Sequence, residues 1–125
     1  MSHFTEIKTQ IRDIEALGLA CSEMGLSLIP NAEARGYAKQ QTRGDHVIRL
    51  KGPYDIAVNR QPDRTFGLTT DWWAGHVEKE VGKDYGRLLQ LYGLHKAMLE
   101  ARRKGLSVQR QSQPNGNIKL VLLGV

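Results

Sequence analysis

The sequence is poor in the residues that mark most enzymes and most secreted proteins. It has one cysteine, Cys21, four prolines, two tryptophans and two phenylalanines in 125 residues. A lone thiol forms no disulfide within its own chain, so a reducing compartment is expected, with the cytoplasm as the default. No apolar run approaches the roughly 18 residues a membrane-spanning helix needs. The opening Met1-Ser2-His3-Phe4-Thr5-Glu6 lacks the basic start and apolar stretch of a secretory signal. Neither secretion nor a membrane partner is expected. Phosphate-binding loops of the Gly-x-x-x-x-Gly-Lys-Ser/Thr or Gly-x-Gly-x-x-Gly kind are missing, as are His-x-x-x-His, Cys-x-x-Cys and Gly-x-Ser-x-Gly. These gaps leave no sequence grounds for a nucleotide, metal or cofactor site, or for a serine nucleophile. His3, His46, His76 and His95 stand singly, one per element.

What is present is an ordinary globular balance, 40% hydrophobic and 25% charged, in a chain of one-domain size. A single domain over residues 1–125 is expected. The formal charge of +5 gives a field that attracts nucleic acid or an acidic protein, without choosing between them.

Hydrophobic periodicity orders the elements. Ser2 to Ile11 alternates with period two, as a strand does. Asp13 then offers a cap to a helix whose stripe is Ile14, Leu17, Cys21 and Met24 and whose stop is Gly25. On that stripe, burial raises the Cys21 thiol pKa and makes it inert. Leu26 to Ile29 is a short strand closed by Pro30-Asn31, which Glu33 to Tyr37 either extends or pairs. His46 to Leu50, Tyr54 to Asn59 and Thr65 to Thr70 read as a meander joined by Gly52-Pro53 and Gln61-Pro62-Asp63-Arg64. After a short turn at Val77 to Val81, Asp84 is expected to cap the longest helix, to Lys104, with Leu88, Leu91, Tyr92, Leu94, His95, Met98 and Leu99 inward. Leu106 to Arg110 and Asn117 to Leu123 flank Asn115-Gly116, a hairpin signal. The last strand is apolar on both sides, as a strand inside a sheet would be. Both helices hand over through Gly-Leu-Ser, at Gly25 and Gly105. The expected fold is α+β, a two-layer sandwich of a mainly antiparallel sheet of about seven strands with two main helices on one face.

Candidate functional residues are mostly basic. Arg35, Lys39, Arg43, Arg49, Lys51, Arg60 and Arg64 lie on or between neighbouring strands, where they either form a patch for phosphates or acidic side chains or simply solvate the sheet face opposite the helices. Trp72-Trp73 is a second candidate. Adjacent side chains point apart, so the two rings are not expected in the same core: either one is outside, where tryptophan anchors a partner or stacks on a base, or both cover core edges. Tyr92 and His95, one turn apart on the inward stripe, either hydrogen-bond to the sheet or line a small pocket as acid and base. Asp45, Asp55, Asp63 and Asp71, at strand ends, read as turn residues.

The opening through Asp13, then Arg35-Gly36-Tyr37, Asp45-His46-Val47-Ile48-Arg49, Tyr54-Asp55-Ile56-Ala57-Val58 and Tyr92-x-x-His95-Lys96, are similar in order and spacing to the hypothetical chloroplast reading frame thirty-five family. That family, also called domain of unknown function twelve fifty-seven, is of plastid and cyanobacterial type. The chain departs from it at Gly93 and Leu94. The resemblance carries over no catalytic residue and implies an accessory or adaptor subunit, with an AAA-type ATPase as partner. The leading expectation is therefore a non-enzymatic protein-binding module, or a self-associating one. A nucleic-acid-binding module is the alternative, and a small enzyme built on Tyr92 and His95 the third.

Overall fold

The computed structural model describes residues 3–124; Met1 and Ser2, the start of the expected first strand, and Val125 lie outside the described residues. The strands are β1 (Phe4–Lys8), β2 (Ser27–Arg35), β3 (Gln41–Arg49), β4 (Ile56–Arg60), β5 (Phe66–Asp71), β6 (Ser107–Ser112) and β7 (Ile118–Leu123). The helices are α1 (Ile14–Glu23), the single turn α2 (Glu78–Val81) and α3 (Gly86–Arg103). The α+β class holds, and among the described residues no helix is long and apolar enough to cross a membrane.

The strands do not form one sheet. Five pair antiparallel in the order β1-β5-β4-β3-β2, and among the described residues β6 pairs with β7 in a separate two-stranded sheet. The last strand is therefore not interior, contrary to what its apolar sequence predicts. Its Ile118 and Leu120 pack on the main core instead, while Leu122 and Leu123 are exposed.

Alternation puts Ile48, Ile56, Val58 and Leu68 on one sheet face, beneath Leu17 and Cys21 of α1 and Leu88 and Leu91 of α3. Each fully buried leucine or isoleucine there contributes about 1.5–3 kcal/mol relative to exposure. Asp13 caps α1 through Oδ1, which accepts the Glu15 and Ala16 N–H groups. The repeated Gly-Leu-Ser step is one helix ending used twice. Gly25 and Gly105 take φ of 74° and 77°, and the Leu26 and Leu106 N–H groups donate to the Cys21 and Ala101 carbonyls. Asp84 does not cap α3. It is left-handed, as is Tyr85 (φ 53° and 64°), and the two reverse the chain just before the helix.

The second sheet face is not left to water. β2 and β3 pair from Ser27↔Arg49 to Arg35↔Gln41, whereas the β3–β4 ladder runs from His46 to Ile48, so the far half of the β2–β3 hairpin is an arm beyond the paired sheet. The arm bends where Asn31 is left-handed (φ 52°) and where a Cβ on Gly44 would collide with the His46 carbonyl. It folds back so that Ala34 packs on Val47 and Ala57. Its tip then reaches the far strands, with Gly36 against the Phe4 ring and the Tyr37 N–H on Asp71.

Asp55 holds the arm down. Its carboxylate is fully buried and accepts from Arg35 Nε (2.7 Å), Arg35 Nη2 (2.8 Å), the Arg35 N–H (2.9 Å), Arg49 Nη1 (2.7 Å) and the Leu50 N–H (3.2 Å). The Asp55 N–H returns a bond to the Arg35 carbonyl at 3.0 Å. Burial by itself pushes the Asp55 pKa up, but the Arg35 guanidinium, helped by the Arg35 and Leu50 N–H groups, outweighs it and holds the carboxyl below its ordinary 3.8.

Asp55→Asn keeps the shape but leaves two guanidinium groups facing a neutral amide. It is expected to cost about 3 kcal/mol in urea unfolding, the low end for a buried pair because both arginines reach solvent. A depressed folded pKa stabilises fully above the unfolded value of 3.8 and ceases to as pH falls through the folded value. The acid-side loss of stability below about pH 4 is therefore expected to be shallower in Asp55→Asn than in the native chain.

Candidate functional site

Where the arm tip meets the end of β5, a second buried carboxylate organises the surface. Asp71 Oδ2 accepts the Tyr37 N–H from the arm and Asp71 Oδ1 accepts the Trp73 N–H two residues on, both at 2.9 Å. Beyond each bond the chain takes left-handed steps, at Ala38 and Lys39 (φ 54° and 63°) and at Ala74 and Gly75 (φ 59° and 72°). The two turns push their aromatic side chains outward. Tyr37 is 37% and Trp73 49% exposed, with ring centroids 4.9 Å apart. His3 packs edge-on to Tyr37 at 4.8 Å, His76 lies 6.4 Å from Trp73, and Tyr54 meets His76 at 5.2 Å. The result is a row of five rings across the arm tip, anchored from beneath by one carboxylate.

Of the two readings of the adjacent tryptophans, the structure takes the one with a single ring outside. Trp72 is half-buried and packs on Tyr85 with centroids 4.7 Å apart, while Trp73 faces out.

The basic candidates separate into groups. Arg35 and Lys39 line a cleft beside the aromatic row, with Tyr54 and Pro53 on its other side. Arg49 shares Asp55 with Arg35. Arg43 lies at the arm's bend, on Glu33 (3.3 Å) and on Asn31 Oδ1, and Asn59 ties its carbonyl to β4. Arg60 is stacked over Phe66 at 5.1 Å and its N–H is held by Asp45. Arg64 is in the Gln61–Thr65 turn (φ 71°). Lys51 gives its N–H to Glu80, with its ammonium beside Gly25. Of these residues, the fold brings only Arg35 and Lys39 to the aromatic row.

Tyr92 and His95 serve different contacts. The Tyr92 hydroxyl accepts the Arg12 and Asp13 N–H groups at 3.0 and 3.1 Å, fixing the entry to α1. His95 Nε2 lies 2.8 Å from Glu23 Oε1, where Arg110 also binds in bidentate fashion (2.9 and 3.1 Å). The Arg110 guanidinium, helped by His95, holds the Glu23 carboxyl below its usual range. Tyr92, but not His95, lines a cleft of about 480 Å³ walled by Ile7, Ile11, Tyr85, Leu89 and Gly93. The Tyr85 hydroxyl is buried there without a hydrogen-bond partner among the described residues, and burial raises its pKa. Cys21 is buried, and burial pushes its thiol up to about 12.

Of the strand-end carboxylates, Asp63 is a turn residue, bonded to Thr65 N–H and hydroxyl. Asp71 also serves its own turn, through the Trp73 N–H, but in addition joins a segment 34 residues away, and Asp55 serves contacts up to 20 residues away. Sequence reasoning missed Tyr37 and Asp71 as site residues, and no local signal marks them, because their roles exist only once the arm has folded over.

The profile of the family described as "Protein of unknown function (DUF1257)" matches residues 20–121. The chain belongs to that family. The DUF1257 stretch contains the arm, Asp55, Asp71 and both tryptophans. The uncharacterized protein ycf35 of Pyropia yezoensis is 29% identical over 126 residues, covering 98% of this chain and 96% of the relative. No solved structure matches. The resemblance read from the sequence motifs is thus to the family the chain belongs to.

The geometry separates the two tryptophans energetically. Trp72→Ala is expected to cost about 2–3 kcal/mol in urea unfolding and Trp73→Ala about 1 kcal/mol or less. Acrylamide quenching is expected to be strong in Trp72→Phe, which leaves Trp73 emitting alone, and weak in Trp73→Phe.

Proposed function

We propose that this chain is a protein-docking module that works by binding rather than catalysis, as an accessory or adaptor subunit. The observation that carries the reading is the half-exposed Trp73–Tyr37 pair, held on two left-handed turns by the buried Asp71 carboxylate. Large aromatic side chains fixed in place lose little entropy when covered, which is why they dominate interface energetics. The neighbouring Arg35 and Lys39 and the net charge of +5 fit a partner segment that is acidic and carries an apolar side chain. An AAA-type ATPase subunit is the partner class the family resemblance implies, and a second copy of the chain is the self-associating form. The free, buried Cys21 fits work in a reducing compartment such as the cytoplasm.

Tagged chain recovered from its own cell at native abundance is expected to carry one stoichiometric protein. Trp73→Ala is expected to lower that recovery about tenfold or more, and Leu122→Ala on the separate β6–β7 hairpin to leave it unchanged. Equal recovery with Trp73→Ala, or no stoichiometric partner, overturns the proposal.

A further inference from the structure

The loop at the arm tip and the loop between β3 and β4 enclose a cleft of about 490 Å³, in the size range of small-molecule sites. Its lining includes Arg35, Gly36, Lys39, Gln41, Pro53 and Tyr54, and no acidic side chain. The Arg35 guanidinium is fixed by its Nε and Nη2 edge, bonded to Asp55, with Nη2 also on the Gly52 carbonyl at 3.0 Å. A planar guanidinium held by that edge presents Nη1 on the opposite one, and Nη1 has no hydrogen-bond partner among the described residues. Lys39, exposed and left-handed at φ 63°, makes no ion pair among the described residues. Tyr54 is buried along the wall, and burial, with Asp71 and Tyr37 nearby, raises its hydroxyl pKa, so it stays a neutral donor at neutral pH.

Asp55, behind Arg35, is shared by two guanidinium groups, so that buried cluster keeps a positive excess to which Lys39 adds. Glu80 and Asp71, whose charges reach Arg35 and Tyr54, do not line the cleft: Glu80 is turned to the Lys51 and Gly52 N–H groups and Asp71 to those of Tyr37 and Trp73. A pre-oriented guanidinium edge, an exposed ammonium and a neutral hydroxyl donor around one small cleft are the donor set an oxyanion takes, because each supplies a charge-assisted or directed bond that water would otherwise make.

We propose that this cleft binds the oxyanion of a small ligand, a phosphoryl or carboxylate group, through Arg35 Nη1, Lys39 Nζ and the Tyr54 hydroxyl. The inference goes beyond the docking surface, since it needs no partner protein.

The test is an amide-shift titration of the ¹⁵N-labelled full chain at constant ionic strength, with sodium phosphate in one arm and sodium acetate in the other, against a sodium chloride background. Saturable shifts confined to Arg35 through Gln41 and the segment around Tyr54 are expected in at least one arm. Saturation by phosphate alone assigns a phosphoryl ligand, by acetate alone a carboxylate, and by both the shared chemistry. Lys39→Gln is expected to weaken binding about tenfold. Tyr54→Phe is a second variant with the same direction of effect, and Lys104→Gln and Trp73→Ala are expected to leave binding intact. Retained phosphate or acetate binding in Trp73→Ala separates this site from the docking reading. Shifts that grow linearly with both anions, or binding unchanged in both Lys39→Gln and Tyr54→Phe, overturn the proposal.

Discussion

A carboxylate taken fully out of water must have its charge answered nearby, or the chain would fold with it outside. Asp55 meets that demand with two guanidinium groups and two backbone N–H groups drawn from β2, β3 and the turn between β3 and β4. Removing any one donor leaves the others facing a charge they no longer balance, so the cluster acts as a unit. Because Arg35 lies at the far end of β2 and Asp55 at the start of β4, satisfying the carboxylate also forces the hairpin arm to fold back over the sheet.

Everything on the functional face follows from that fold-back. Once the arm lies across the sheet, its tip meets the end of β5, and Asp71 finds in Tyr37 an N–H it could not reach within its own turn. The two left-handed turns that result hold Tyr37 and Trp73 outward, and the same arm supplies Arg35 and Lys39 to the adjacent cleft. Two buried aspartates, Asp55 on Arg35 and Asp71 on Tyr37, tie the hairpin arm to the sheet beneath it. The opposite layer is built differently. There, apolar stripes of α1 and α3 cover the sheet, the Tyr92 hydroxyl sets the start of α1, and the Glu23, His95 and Arg110 cluster fastens the β6–β7 hairpin to the helices.

The helical layer was the part most legible in the chain. The Leu88, Leu91, Tyr92 and Leu94 stripe, the Asp13 cap and the two glycine stops each depend on residues within a few positions of one another, and each stands where its spacing places it. The opposed directions of Trp72 and Trp73 were equally local. The division into five strands and two was not, since the apolar faces of β7 look alike whether covered by a neighbouring strand or by α3.

Taken alone, the amino-acid order determined the element types, the buried stripes, the family and the list of basic and aromatic candidates, because periodicity, caps and motifs are short-range properties. Only the folded chain decided which of those candidates stand together. Arg35 and Lys39 join Tyr37, Tyr54 and Trp73 because a bend at Asn31 and Gly44 lets a long-range ion pair close, and Arg43, Arg60 and Arg64 stay apart because they lie at that bend, at the end of β4 and in the turn after it. Charge compensation of a buried group acts through space and leaves no mark on local spacing, so the surface it builds could be found only in three dimensions.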